Sequence, residues 1–216
     1  MSVRILLIVL LIILGSSFVF ATPQRPDILI YEGKEYPIYN GDLLRDYFIK
    51  FPERNPMDKV HWCSDLWRGY SSVFEVSDGR IYLKDIFTGD CVTRISQLKK
   101  VVPDGKPLAM DEYSGVLLAF YRQQDDVDNP YSLDFYDAFE KYSIFEVTKG
   151  TIDEVRHFDK KAWLEFRKRQ VQSFKKTPEY EVEFKRRTAQ TRGDNASVDA
   201  DIEFFVLWEA KKLFVK

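Results

Sequence analysis

The chain has 216 residues, 32 of them basic and 34 acidic, for a net charge of −2, and 45% are hydrophobic. That near-neutral balance excludes a binder held to nucleic acid by bulk positive charge. Its 17 Phe, 12 Tyr and 4 Trp exclude a disordered chain, which could not carry so much apolar surface.

The N-terminus comes first in chain order. Arg4 supplies a positive start, residues 5–14 are an unbroken apolar run, and Gly15-Ser16-Ser17 loosens it ahead of Val19-Phe20-Ala21. This is the architecture of a cleavable secretory signal over residues 1–21, leaving 22–216 as a single globular domain. The run is shorter than the roughly 20 residues that span a bilayer. An uncleaved anchor is the alternative, because Phe18 to Phe20 prolong the apolar stretch.

Residues 28–31 and 34–39 are β-prone runs around Gly33, a hairpin pattern. Leu43, Leu44, Tyr47, Phe48 and Phe51 recur at helical spacing, stopped by Pro52 and Pro56. A two-residue turn at Asp78-Gly79 places Val76 opposite Ile81 and Phe74 opposite Leu83 on one face. Glu75 with Tyr82 and Val73 with Lys84 then share the other. Further strands are expected over 115–121 and 142–148, ending at Lys149-Gly150. Asp159 opens a long amphipathic helix to about Lys176 whose apolar arc holds Trp163, Leu164, Phe166, Val171 and Phe174. Arg167 falls inside that arc and must snorkel or find a carboxylate. A second helix is expected through 180–188, a polar loop over 190–200, and an apolar segment over 202–208 ambiguous between strand and helix. The fold class is therefore α+β: a largely antiparallel β-sheet built from hairpins, with the long C-terminal amphipathic helix packed on one face.

Charge is segregated. Residues 104–154 hold 12 acidic and 4 basic side chains, a net of −8, and residues 155–192 hold 12 basic and 5 acidic, a net of +7. The two segments either pack together and neutralise or make the molecule polar.

Several blocks resemble a group of uncharacterised bacterial proteins, many of them exported. They are the Asp27-Ile28-Leu29-Ile30-Tyr31-Glu32-Gly33-Lys34-Glu35-Tyr36 stretch, Leu66-Trp67-Arg68-Gly69-Tyr70, Phe74-Glu75-Val76, Tyr82-Leu83-Lys84-Asp85-Ile86, Tyr113-Ser114-Gly115-Val116-Leu117-Leu118, Glu140-Lys141-Tyr142, and Gln170 onward to Tyr180. They keep their order over residues 27–180. The resemblance implies a shared fold and a bacterial source, and it hands over no catalytic residue.

Two cysteines, Cys63 and Cys91, lie in the exported part. An oxidising destination makes a disulfide the expected state, closing a loop of about 28 residues that stabilises by roughly 3–4 kcal/mol. A Cys63 nucleophile with His61 or His157 carries no recognisable local signature, and a zinc tetrad of His61, Cys63, Cys91 and His157 matches no recurrent spacing. Asp125, Asp126, Asp128 and Asn129 lack the pattern of a calcium loop and read as a solvated acidic stretch. Arg192-Gly193-Asp194 reads as an ordinary turn.

Trp67, Arg68 and Tyr70 form the most concentrated cluster of interface-type residues. The reading preferred on sequence is nevertheless structural: Trp67 fills the core, Gly69 allows close backbone packing, and Arg68 pairs with a carboxylate such as Glu75 or Asp65.

The functional expectation is a non-catalytic, periplasmic or secreted envelope protein that acts by binding a protein partner, in the manner of an immunity or inhibitor protein. No cofactor, metal or nucleic acid is expected, and no stable membrane insertion once the signal is removed. The alternative is an envelope hydrolase using carboxylates or a Cys–His pair.

Overall fold

The computed structural model describes residues 24–57, 63–90, 92–121, 139–190 and 195–215. The segment read as a signal, His61, Cys91, the acidic run at Asp125 to Asn129 and Arg192-Gly193-Asp194 lie outside them.

Three two-residue turns organise the chain. Glu32-Gly33 joins β1 (Asp27–Tyr31) to β2 (Lys34–Ile38), and Asp78-Gly79 joins β3 (Ser71–Ser77) to β4 (Arg80–Thr88). Lys149-Gly150 joins β8 (Lys141–Thr148) to β9 (Thr151–Asp159). Both residues of each turn are left-handed, with φ between 47° and 76°. Glycine adopts that geometry without strain, and its twist matches that of the strands it connects.

The β3–β4 register is as the sequence predicts at Val76–Ile81, Phe74–Leu83 and Glu75–Tyr82. The expected Val73–Lys84 pair does not form. A bulge pairs Val73 with Asp85 instead, leaving Lys84 as the extra residue. The bulge reverses parity, so Ile81 and Leu83 face inward before it and Ile86 and Thr88 after it, all four buried.

Strands and helices are mixed as expected, and the sheet is mostly antiparallel, but it is not a layer covered on one face. It closes into a seven-stranded barrel in the order β3-β1-β2-β7-β8-β9-β4, with β4 returning to β3 and β7 spanning Gly115–Tyr121. One pair in the ring, β1 with β3, is parallel. A parallel pair needs a crossover, supplied here by residues 39–70 with α1 (Arg45–Lys50). Short strands β5 (Ile95–Ser96) and β6 (Leu108–Ala109), flanking α2 (Leu98–Val101), pair with β4.

Two seams of the ring are short. Between β4 and β9 the ladder has one pair, Arg80–Thr151, and the two turns complete it. Ile81 N–H donates to the Gly150 carbonyl and Ile152 N–H to the Gly79 carbonyl, each at 2.8 Å. Between β2 and β7 the only ladder pair is Ile38–Ala119. Beyond it the buried Asn40 side chain bonds β7 on both sides: Nδ2 donates to the Val116 carbonyl at 2.7 Å, and Oδ1 accepts from Leu118 N–H at 2.6 Å.

The interior is filled by Leu29, Tyr36, Phe74, Ile81, Leu117 and Phe145, as a narrow barrel allows. Leu43, Leu44 and Phe48 belong to the same buried cluster, so the crossover around α1 plugs one end. On the outer face of β7 and β8, Val116, Leu118, Phe120, Tyr142 and Ile144 pack on Trp163 and Phe166 of α3 (Lys160–Phe174). Burial on both faces explains why residues 116–120 are continuously apolar rather than alternating.

Asp159 caps α3 as expected, its Oδ1 accepting from Ala162 N–H at 2.8 Å. Arg167 finds its carboxylate, with Nη2 2.6 Å from Glu203. Helix α4 (Pro178–Gln190) follows. The loop expected over 190–200 is a helix from its sixth residue: α5 (Asn195–Phe204) runs into a wider π-helical turn, Phe205–Glu209. The reason is the four-residue spacing of Val198, Ile202 and Val206, which are buried against Phe174. The chain then returns to the layer below: Gln170 Oε1 accepts from Phe214 and Val215 N–H, Glu146 Oε1 accepts from Leu213 N–H, and Arg156 donates to the Val215 carbonyl.

Replacing Asn40 by Ala leaves a buried carbonyl and a buried N–H on β7 without their partner. Urea unfolding of Asn40→Ala is expected to show a loss of about 3 kcal/mol, against less than about 0.5 kcal/mol for Ile49→Ala at an exposed helix position.

Candidate functional site

The Trp67 cluster sits at the plugged end of the barrel, and the structure divides its members. Leu66 and Tyr70 are buried, whereas Trp67 is 67% exposed, which overturns its expected place in the core. The reason lies in how the turn is held. Gly69 N–H donates to the Leu66 carbonyl, and Gly69 is left-handed with Met57 packed on it so tightly that a Cβ would meet Met57 Cγ at 2.7 Å. Residues 24 and 25 run alongside. Gln24 Oε1 accepts from Trp67 N–H at 2.8 Å, Gln24 Nε2 donates to the Ser64 carbonyl, and Arg25 Nη2 meets Asp65 at 2.9 Å. The backbone on both sides of Trp67 is fixed, and its indole faces outward.

Arg68 does pair with a carboxylate, though with neither Glu75 nor Asp65. Its Nη2 lies 2.9 Å from Asp27 Oδ1 and its Nη1 3.8 Å from Asp42, with the guanidinium 5.2 Å from the Tyr70 ring centre. Asp65 is taken by Arg25, and Glu75 by Lys84 at 3.0 Å. Asp27 is fully enclosed, and its Oδ1 also accepts from Ser72 N–H at 2.8 Å. Burial pushes its carboxyl above the usual carboxylate range, with Arg68 and the Ser72 N–H pulling the other way. Tyr70 donates to Asp42 at 3.1 Å, and burial drives its phenol up as well. This network fixes the turn that carries Trp67.

Among the described residues nothing covers the opposite end of the barrel. By register Lys34, Tyr121, Lys141 and Asp159 fall at this end, and a cavity of about 600 Å³ is lined there by Lys34, Glu35 and Tyr36 of β2, Tyr121 of β7, Lys141, Tyr142 and Ser143 of β8, and His157, Phe158 and Asp159 of β9. Ser143 and His157 face each other across β8 and β9, with Ser143 Oγ 2.8 Å from His157 Nδ1. Tyr36 lies edge-on to Tyr121 and Phe145 and nearly parallel to the His157 ring. Burial holds the Tyr121 phenol above its ordinary range. Sequence reasoning missed this grouping. Tyr36, Tyr121, Ser143 and His157 come from four strands, and only the barrel closure joins them.

Cys63 is buried in the loop before Trp67, at the plugged end, and His157 lies at the open end. A Cys63–His157 catalytic pair is therefore not assembled. The Cys63–Cys91 bridge and the proposed metal tetrad involve residues outside the described ones. Among the described residues no helix is long and apolar enough to cross a membrane. The chain matches no family model, no curated protein and no solved structure.

Asp27 supplies a pH test. Its folded-state affinity for a proton is raised, so its contribution to stability is greatest below the ordinary carboxylate value and is lost as pH rises through the folded value. The stability of the protein relative to Asp27→Asn is expected to fall between pH 3 and pH 7 in chemical denaturation. A rise over that range would show that ion pairing with Arg68 outweighs burial.

Proposed function

We propose that the chain is an exported, non-catalytic module of the bacterial envelope that binds a protein partner through the corner carrying Trp67. The observation that supports this is a large indole exposed on a backbone held rigid from both sides. Ordering entropy is already spent in such an arrangement, and exposed Trp and Arg side chains on rigid loops are the usual anchors of protein interfaces. Arg68, one third exposed beside it, offers a charged contact whose geometry Asp27 fixes. The role of an immunity or inhibitor protein fits this arrangement, and the resemblance to exported bacterial proteins points the same way.

The direct test is capture from a periplasmic extract with the wild-type chain, followed by affinity measurement of the captured partner on purified variants. Trp67→Ala is expected to weaken that affinity by about 30-fold or more, the scale of an interface hot spot, with an unchanged melting temperature. Equal affinity in wild type and variant overturns the assignment. So does a markedly lower melting temperature, which would make Trp67 structural.

Export and the disulfide are tested together by the intact mass of the protein recovered from the periplasm. The expected mass corresponds to a chain starting at Thr22 with two hydrogens fewer than the reduced form. Reduction is expected to lower stability by about 2–4 kcal/mol while partner binding persists. A chain starting at Met1 indicates the anchor instead, and two free thiols rule out the bridge.

A further inference from the structure

We infer that the free edge of β9 is a self-association surface, on which a second copy of this chain adds its own β9 antiparallel, about a two-fold axis at Val155. This edge is separate from the Trp67 corner, and the two stand or fall independently.

The edge exists because β4 and β9 meet end to end. Arg80 pairs with Thr151, so the next residue of β9, Ile152, already lies beside the Asp78-Gly79 turn, and its N–H donates to the Gly79 carbonyl. From Asp153 onward β9 has run past the end of the β3–β4 hairpin. Along those residues its only ladder among the described residues is with β8.

The phase of the hydrogen bonds fixes which groups face that edge. Tyr39 N–H donates to the Leu118 carbonyl, so Ile38 and Ala119 form a pair whose own backbone groups point away from each other. Ala119 therefore exchanges bonds with Ser143, and opposite Ser143 the N–H and C=O of His157 point away from β8. Two residues back, those of Val155 point the same way. No partner for these four backbone groups exists among the described residues. Asp153, Glu154 and His157 are exposed, and Val155 and Arg156 half-buried, so a second strand can reach them.

The side chains select the occupant. Glu154 and Arg156 stand on the outer face, as do their cross-strand neighbours Glu146, which accepts from Leu213 N–H, and Ile144. Within the strand they pair at 2.7 Å. An antiparallel copy centred on Val155 places each Glu154 opposite the other copy's Arg156, and each Asp153 opposite the other copy's His157. Two carboxylates and two guanidinium groups then alternate around the axis. Centring on residue 154 or 156 instead sets Glu154 against Glu154 or Arg156 against Arg156, and like charges directly opposite are destabilising. An edge guarded only against aggregation repels a copy in every register. This one favours a single register. Its span fits as well: residues 153–157 of each copy cover 153–157 of the other and stop short of Ile152, whose edge Gly79 occupies. Both copies use the same residues, so the pairing closes as a dimer and does not propagate.

The test begins with sedimentation equilibrium of the full-length mature protein. A weak dimer is expected, with a dissociation constant of roughly 10–100 μM, the range of a small interface. Glu154→Arg and Arg156→Glu are each expected to weaken it at least tenfold, because all four charges at the axis then carry one sign. An equimolar mixture of the two variants is expected to restore a mixed dimer, since each supplies the sign that the other lacks. Hydrogen exchange of wild type, read by mass spectrometry over residues 153–157, is expected to slow at least threefold between about 5 μM and about 500 μM protein. That reading needs no substitution, so it decides even where a variant is poorly folded. A chain that stays monomeric up to about 1 mM overturns the inference. So does a dimer indifferent to both charge reversals, a mixture that stays monomeric, or exchange over 153–157 that is the same at both concentrations.

Discussion

The side-chain amide of Asn40 stands in for a strand where β2 has run out. One carbonyl and one N–H of β7 would otherwise be buried without partners, and among the described residues the seam would keep just the Ile38–Ala119 pair and the bond from Tyr39 N–H to the Leu118 carbonyl. The same economy operates across the ring, where the Gly79 and Gly150 carbonyls receive the N–H groups that follow the opposite turns. A barrel abolishes sheet edges only if every neighbour is joined, and two of its seven joints are minimal. Everything else described here, the filled interior, the plugged end and the open end, presupposes that those joints hold.

Closure also decides what each end does. The parallel pairing of β1 with β3 obliges the chain to cross between them, and the crossing segment brings Leu43, Leu44 and Phe48 to stop one end. The ion-pair network around Asp27 and Arg68 lies at that end, where it stiffens the turn that presents Trp67. The other end receives no such segment among the described residues, so the inward side chains of β2, β7, β8 and β9 border a cavity. One end is shaped as a projection and the other as a recess, each built by the same topology.

The hairpins were legible because their information is local: a glycine at the second turn position and alternating apolar residues on each side specify turn and register together. The bulge at Lys84 was not, since a change of parity rewards only the three-dimensional need to keep Ile86 and Thr88 inside. Strand β9 escaped notice because its outward positions carry Asp153, Glu154 and Arg156, and no face of it is continuously apolar. Trp67 was misplaced because an exposed indole and a buried one look identical in sequence; only the contacts of Gln24 and Met57 decide between them. Arg68 was expected on Glu75 or Asp65, but it pairs with Asp27 and Asp42, which lie 41 and 26 residues earlier in the chain. The open-end site had no sequence signature at all, its members being scattered over four strands.

The manner in which residues 213–215 are fastened bears on the order of events as the chain is made. Leu213, Phe214 and Val215 are hydrogen-bonded to Glu146, Gln170 and Arg156, which belong to β8, α3 and β9. A chain emerging from its N-terminus can form the early hairpins at once, yet the ring stays open until β9 arrives, and the helical layer lacks its clasp until the final residues are free. Assembly that waits on such distant contacts is slow. For most of its synthesis the polypeptide can therefore hold local hairpins but not the closed ring, and the barrel and its helical layer are completed together at the end.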